Sequence, residues 1–182
     1  MVNVQYSQKE TDPNQWLEKA EGLIISAEVL WHTATPLWPS LFDQNTNVKA
    51  TVKRLDAYLS SCFLLTAYAF ENLCRGIIVG RGNSWREVLA QDGGHSLLKQ
   101  LSEITDLTSE EKRLVDRLKT FLLWAGRYVV PKKLPQFARD VRELRQSFLT
   151  SDWDIVTGLF NRLARQLRDS DNRKARPIVS PV

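Results

Sequence analysis

The sequence predicts an all-α protein, an antiparallel bundle of about five to six helices. Three observations carry this expectation. Apolar residues recur at alternating four- and three-residue steps over long stretches, no segment shows sustained period-2 alternation, and Pro, Gly and Asn punctuate the chain between those stretches. At 182 residues the chain is long enough for one domain with a sizeable core. We place that domain at residues 1–170 and expect a disordered basic tail at 171–182, where charge and two prolines (Pro177, Pro181) occur without periodicity.

The elements follow in order. Thr11 or Asp12 opens the first helix, with Pro13 in its first turn, where a missing N–H is no loss. Trp16, Ala20, Leu23, Ala27, Leu30 and Ala34 form its expected apolar stripe, and Pro36 and Pro39 stop it. A longer helix runs from about Asn47 to Val79 on the stripe Val48, Val52, Leu55, Leu59, Cys62, Thr66, Ala69 and Leu73. Phe63, Leu64, Tyr68, Phe70, Ile77 and Ile78 widen that face, so its second half is expected to be buried on several sides; Gly80 to Asn83 end it.

Ser84 to Ala90 reads as a short helix and Ser96 to Ile104 as another, separated by the Gln-Asp-Gly-Gly turn at 91–94. Thr108 and Glu111 have capping-box spacing, and the helix they open carries Leu114, Leu118, Phe121, Ala125 and Tyr128 on one side. After Pro131 and Pro135, Phe137, Val141, Leu144 and Phe148 define a further helix. Ser151 and Asp154 start the last, with Val156, Leu159, Phe160, Leu163 and Leu167 inward.

Composition excludes several classes. Cys62 and Cys74 lie twelve residues apart on one expected helix. That is roughly 18 Å along the axis, beyond disulfide reach. Two histidines and two remote cysteines give no zinc-ligand spacing, so neither a metal nor a cofactor is expected. No uninterrupted apolar run spans a bilayer; Cys62 to Phe70 is under half the length. The N-terminus lacks the basic start and apolar core of a signal peptide, and a cytoplasmic protein without membrane contact is expected. The net charge of +4 is uneven: residues 1–130 carry 14 Lys/Arg against 15 Asp/Glu, and residues 131–182 carry 11 against 6. The basic surplus in the C-terminal third favours a polyanionic partner, or is a solvated helix face with a basic tail.

The candidate ligand-binding residues are Glu71, Arg75, His95, Arg127 and Tyr128. Glu71 and Arg75 stand four apart among apolar neighbours, which places a pair beside a packed surface, either to fix packing or to serve a ligand. His95 follows two glycines at the start of a helix, where it caps the backbone or faces an anion. Arg127 and Tyr128 follow Gly126 at a helix exit close to Pro131: arginine there suits the helix dipole, and it also offers a planar fork for phosphate beside a ring for base stacking. There is no phosphate loop ending in Lys-Ser/Thr and no Gly-x-Ser-x-Gly elbow, and no catalytic residue is assigned.

Three of these pieces together resemble the HEPN superfamily of small prokaryotic helical-bundle domains. Ala-Tyr-Ala-Phe-Glu-Asn-Leu-Cys-Arg-Gly at 67–76 looks like its second helix, Gly94-His95-Ser96-Leu97 like its Gly-His-x-Leu turn, and Trp124-Ala125-Gly126-Arg127-Tyr128 with Pro131 like its Arg-Tyr-Pro exit. The resemblance covers about residues 45–131 and implies an antiparallel bundle, often a homodimer. Members include ribonuclease toxins, phage-defence components and nucleotide-binding partners of small nucleotidyltransferases. Ribonuclease members carry a histidine four to six residues after an arginine. Here Arg127 is followed by Tyr128, Val129, Val130, Pro131, Lys132, Lys133 and Leu134, and Val129 replaces the usual proline.

The expected function is therefore a module binding RNA, a nucleotide or a partner protein, such as a nucleotidyltransferase or a toxin or antitoxin, without standard ribonuclease chemistry. Two alternatives stay open: a structural or regulatory homodimer, and an atypical metal-independent ribonuclease combining His95, Arg127 and Glu71.

Overall fold

Asp12 opens helix α1 (Pro13–Ala34) by accepting the Asn14 N–H at 2.9 Å, with Pro13 in the first turn. The computed structural model describes residues 11–43, 47–84, 86, 97–122 and 151–174. Helix α1 stops at Ala34 and a single helical turn, α2 (Leu37–Ser40), follows. Asn47 caps the long helix α3 (Val48–Gly80) through the Ala50 N–H at 3.1 Å. At its far end Gly82 takes φ 84°, and the N–H groups of Gly82 and Asn83 reach back to Val79 and Ile78. This is a Schellman ending, in which a left-handed glycine lets the last carbonyls find donors. Helices α4 (Leu97–Ile104), α5 (Ser109–Thr120) and α6 (Asp152–Lys174) complete the described set, and no strand occurs among the described residues.

The fold is all-α, with the helices packed on one another. The α1–α3 interface is the most extensive, and α6 lies against both helices. Small residues are buried along both helices: Ala20, Ala27 and Ala34 on α1, and Thr66, Ala67, Ala69 and Gly76 on α3. Short side chains let two helix axes approach closely while larger residues on either side fill the remaining space. At Gly76 the approach is close. A Cβ there would meet Leu167 Cδ2 at 2.8 Å and Trp16 Cβ at 3.0 Å, so α1, α3 and α6 converge on one hydrogen atom.

An aromatic chain crosses the bundle toward its other end. The Trp31 ring meets Phe63 edge-on at 6.4 Å and stacks on Trp153 at 5.7 Å, and Phe63 stacks on Phe121 at 5.4 Å. Each aromatic pair adds roughly 0.5–1.5 kcal/mol beyond the area it buries. One tryptophan thus ties α1 to both α3 and α6.

Several expectations shift in detail. The inward stripe of α1 runs through Leu17, Ala20, Ala27, Trp31 and Ala34, whereas Trp16, Leu23 and Leu30 are half-buried. Val48 and Val52 are exposed, and Thr51 and Leu55 begin the buried stripe of α3. The second half of α3 is buried on nearly all sides, and the inward set of α6 is as expected. Helix α6 continues to Lys174, so residues 171–174, read from sequence as the start of the tail, are helical. By length and composition α3 is long and apolar enough to cross a bilayer, because single polar residues interrupt its apolar runs without lowering their average much. Of its most apolar window, 67% is buried within the bundle. The expected helices at 84–90 and 137–148 and the tail beyond 174 lie outside the described residues, apart from Ser84 and Arg86.

Gly76→Ala is expected to destabilise the protein by about 1–2 kcal/mol, because overpacking against Trp16 Cβ outweighs the roughly 1 kcal/mol gain in helix propensity. Gly158→Ala, at a helical position with open space around it, is expected to stabilise by roughly 0.5–1 kcal/mol. Urea unfolding of the two variants checks both signs.

Candidate functional site

Glu71 and Arg75 pair as their spacing requires. Arg75 Nη2 lies 3.0 Å from Glu71 Oε1, with the side chains 22% and 8% exposed. The guanidinium also covers the Trp16 ring, 5.6 Å from its centroid. The arginine therefore spans from α3 to α1, next to the tight contact at Gly76. An arginine offers a flat apolar face and a polar edge, and here the face meets an indole while the edge meets a carboxylate. This geometry anchors one helix on another. His95, Arg127 and Tyr128 lie outside the described residues, so the five candidates are seen here only as the Glu71–Arg75 pair.

Cys74 is buried beside this pair, and burial pushes its thiol well above the usual range. The Glu71 carboxylate adds to that rise and Arg75 partly opposes it. Burial likewise pushes Cys62 up to about 12, against a hydrogen bond with Thr66. A thiol held neutral is a poor nucleophile, so both cysteines serve as core residues. Among the described residues no group of three or more His, Cys, Asp or Glu is placed to hold a metal ion.

Two further charged clusters have long-range partners that carry no local signal in the sequence. Asp152, only 1% exposed at the first position of α6, binds Arg117 of α5. An acid there also faces the positive end of the helix dipole. In the second cluster, Thr108 and Glu111 form the expected capping box, with bonds of 2.8 and 3.2 Å. Arg162 of α6 then reaches the same Glu111 carboxylate at 3.0 Å and the Asp106 carbonyl at 3.3 Å. The Ile104 carbonyl accepts from both Arg81 and Gln166. Side chains from α6 and from Arg81 at the C-terminal cap of α3 thus cap the turn between α4 and α5. The four-residue spacing of Arg162 and Gln166 was visible in the sequence, but nothing in it named their distant carbonyl partners.

The described surface also holds an open groove of about 360 Å³ between α1 and α6. Trp153, Phe160 and Ala164 line it from α6, Ile24 and Ile25 from α1, and Glu21, Glu28 and Arg168 stand at its edges. Glu21 pairs with Arg168 across the groove. Ile25 and Val29 remain 60% and 62% exposed on the α1 side. This surface has no clear signal in the sequence, because Ile24, Ile25, Leu30 and Trp31 follow one another too densely to show which of them face outward.

No known protein family, curated protein or solved structure matches this chain.

Glu111 gives the candidate clusters a pH signature. Burial raises its carboxyl, but Arg162 and Thr108 together more than reverse this, so its pKa is lowered in the folded protein. A lowered folded pKa contributes stability above the ordinary carboxylate range and loses it as pH falls through the folded value. Arg162→Ala should cost about 1 kcal/mol at neutral pH, a modest figure because Arg162 is partly exposed. The gap to wild type should close as pH falls below the ordinary carboxylate range and through the lowered pKa of Glu111, measured by urea unfolding across pH.

Proposed function

We propose that this protein is a HEPN-like helical binding module that acts by recognition, without standard ribonuclease chemistry, in a toxin–antitoxin or phage-defence setting. Its first ligand class is a partner protein, seated in the α1–α6 groove. The observation that carries this reading is the groove itself: an aromatic floor with charged edges, beside two aliphatic side chains left mostly in water. An amphipathic helix fits such a surface, since its apolar anchors fill the floor and its charges meet the edges. The Asp152–Arg117 and Glu111–Arg162 pairs join helices to one another, Arg75 covers Trp16 of α1 while paired with Glu71 on its own helix, and the two cysteines are held neutral, which supports recognition over catalysis.

A second reading has its own observation. Arg162, Arg165 and Arg168 are exposed on α6, within the basic C-terminal third, and Arg127 with Tyr128 belongs to the same reading from sequence. RNA or a nucleotide is the ligand in that case.

Two measurements separate these readings. Concentrated protein should leave RNA intact over hours, and Ile25→Asp should abolish retention of a partner protein from source-cell extract that wild type holds. Cleavage of RNA by purified protein, or a partner indifferent to Ile25→Asp, would count against the first reading. Binding of a labelled RNA that falls steeply with salt and is weakened by Arg127→Ala would establish the second.

A further inference from the structure

We infer that the partner seated in the α1–α6 groove is an amphipathic helix with a cluster of Lys or Arg at one end, and that this end lies over Trp153. This rests on the groove being the recognition surface proposed above. Helices α1 and α6 run antiparallel along it, with Glu21 against Arg168 toward one end and Trp31 against Trp153 toward the other.

The two ends differ in charge. Around the tryptophan pair, residues 26–34 of α1 and 152–161 of α6 carry Glu28, Asp152 and Asp154 and neither Lys nor Arg. Arg117 holds Asp152. Glu28 lines the groove, and Asp154, next to the lining residue Trp153, is exposed. His32 approaches Glu28 only to 3.8 Å, beyond hydrogen-bond reach. The two aspartates suit the positive end of the α6 dipole, whereas Glu28, in the C-terminal half of α1, has no such reason. At the other end, residues 13–25 of α1 and 162–169 of α6, the charges balance. Glu21 binds Arg168 and Arg162 binds Glu111, which leaves Glu18 and Asp169 against Lys19 and Arg165.

An uncharged occupant would cover Glu28 and Asp154 without giving them a partner, and an acidic one would repel them. Lys or Arg over Trp153 answers both carboxylates and leaves the balanced end undisturbed. The helical form follows from the floor. Trp153, Phe160 and Ala164 recur along α6 at steps of seven and four, and Ile25 and Val29 stand four apart on α1, so anchors one turn apart on the partner meet apolar side chains at each level. Glu21 to Glu28 spans about 10 Å of α1, which two turns of the partner cover.

Fluorescence anisotropy of labelled helical peptides with the full chain tests this. The peptides share one stripe of Leu and differ only in a cluster at one end, filled with Lys, Gln or Glu. The Lys peptide should bind tightest, with a dissociation constant at least about tenfold below that of the Glu peptide, and the gap should narrow as salt rises. Glu28→Lys with Asp154→Lys should invert the order, and Glu28→Lys alone, which leaves the start of α6 untouched, should shrink the gap. Ile25→Asp should weaken every peptide at least about tenfold. Circular dichroism of each variant checks that the bundle is intact. Equal binding of the peptides, or a preference indifferent to Glu28→Lys, overturns the inference; if that binding is still lost in Ile25→Asp, the groove remains a recognition surface and only the basic partner falls. Binding of no peptide at about 100 µM counts against both. A wild-type dimer in sedimentation equilibrium that Ile25→Asp dissociates would make a second copy the occupant and would also overturn the inference.

Discussion

The contact at Gly76 is the constraint on which the rest of the bundle depends. Helices α1 and α3 can share their long seam only if their backbones come close, and that requires a residue without a Cβ where Trp16 and Leu167 both press in. The alanines at 20, 27 and 34 continue the same close approach along α1. Once the two helices lie this near, Arg75 can cover the Trp16 ring and still hold Glu71, and Leu167 brings α6 onto both. The aromatic chain from Trp31 through Phe63 to Phe121 fills space farther along the bundle. The side-chain-free contact at Gly76 and the aromatic cluster around Trp31 together hold three helices in a single arrangement.

Polar groups in this structure work mostly at joints. Asp152 with Arg117 fixes the start of α6 on α5. Arg162, Gln166 and Arg81 bind carbonyl oxygens in the turn that joins α4 to α5. Free carbonyls at a helix end need donors, and long side chains from neighbouring helices supply them here. A buried charge whose partner is lost is costly, so each of these pairs favours one packing over its alternatives. Apolar side chains still face water at Ile25 and Val29 beside the α1–α6 groove, and also at Phe42, Val48 and Val52.

Much of the fold was legible in the sequence, and the reasons are local. Asp12, Asn47 and Thr108 announce helix starts because a side-chain oxygen must satisfy an N–H two or three residues on. Gly82 announces an end because its positive φ favours a residue without a side chain. Periodicity found α6 and the second half of α3 correctly. It misplaced the stripe of α1 by part of a turn, since Trp16, Leu17, Leu23, Ile24, Leu30 and Trp31 offer two overlapping apolar faces. Only the presence of α3 decides between them. Val48 and Val52 continue the rhythm of α3 but lie toward its N-terminal end, where the neighbouring helices leave them in water. The Glu71–Arg75 pair was readable from its spacing, whereas its stacking partner Trp16 is a tertiary fact with no local signal. The groove belongs to the same category, because α1 and α6 are far apart in sequence and meet only in the folded chain.

Native-state hydrogen exchange tests the central claim most directly, because it ranks the helices by the free energy needed to open them. If the α1–α3 seam organises the bundle, the slowest amides will lie in α3 between Leu59 and Val79 and in the facing turns of α1, and they will open together in one cooperative unit. Strongest protection in α4 or α5, with α1 exchanging early and independently of α3, would contradict the account.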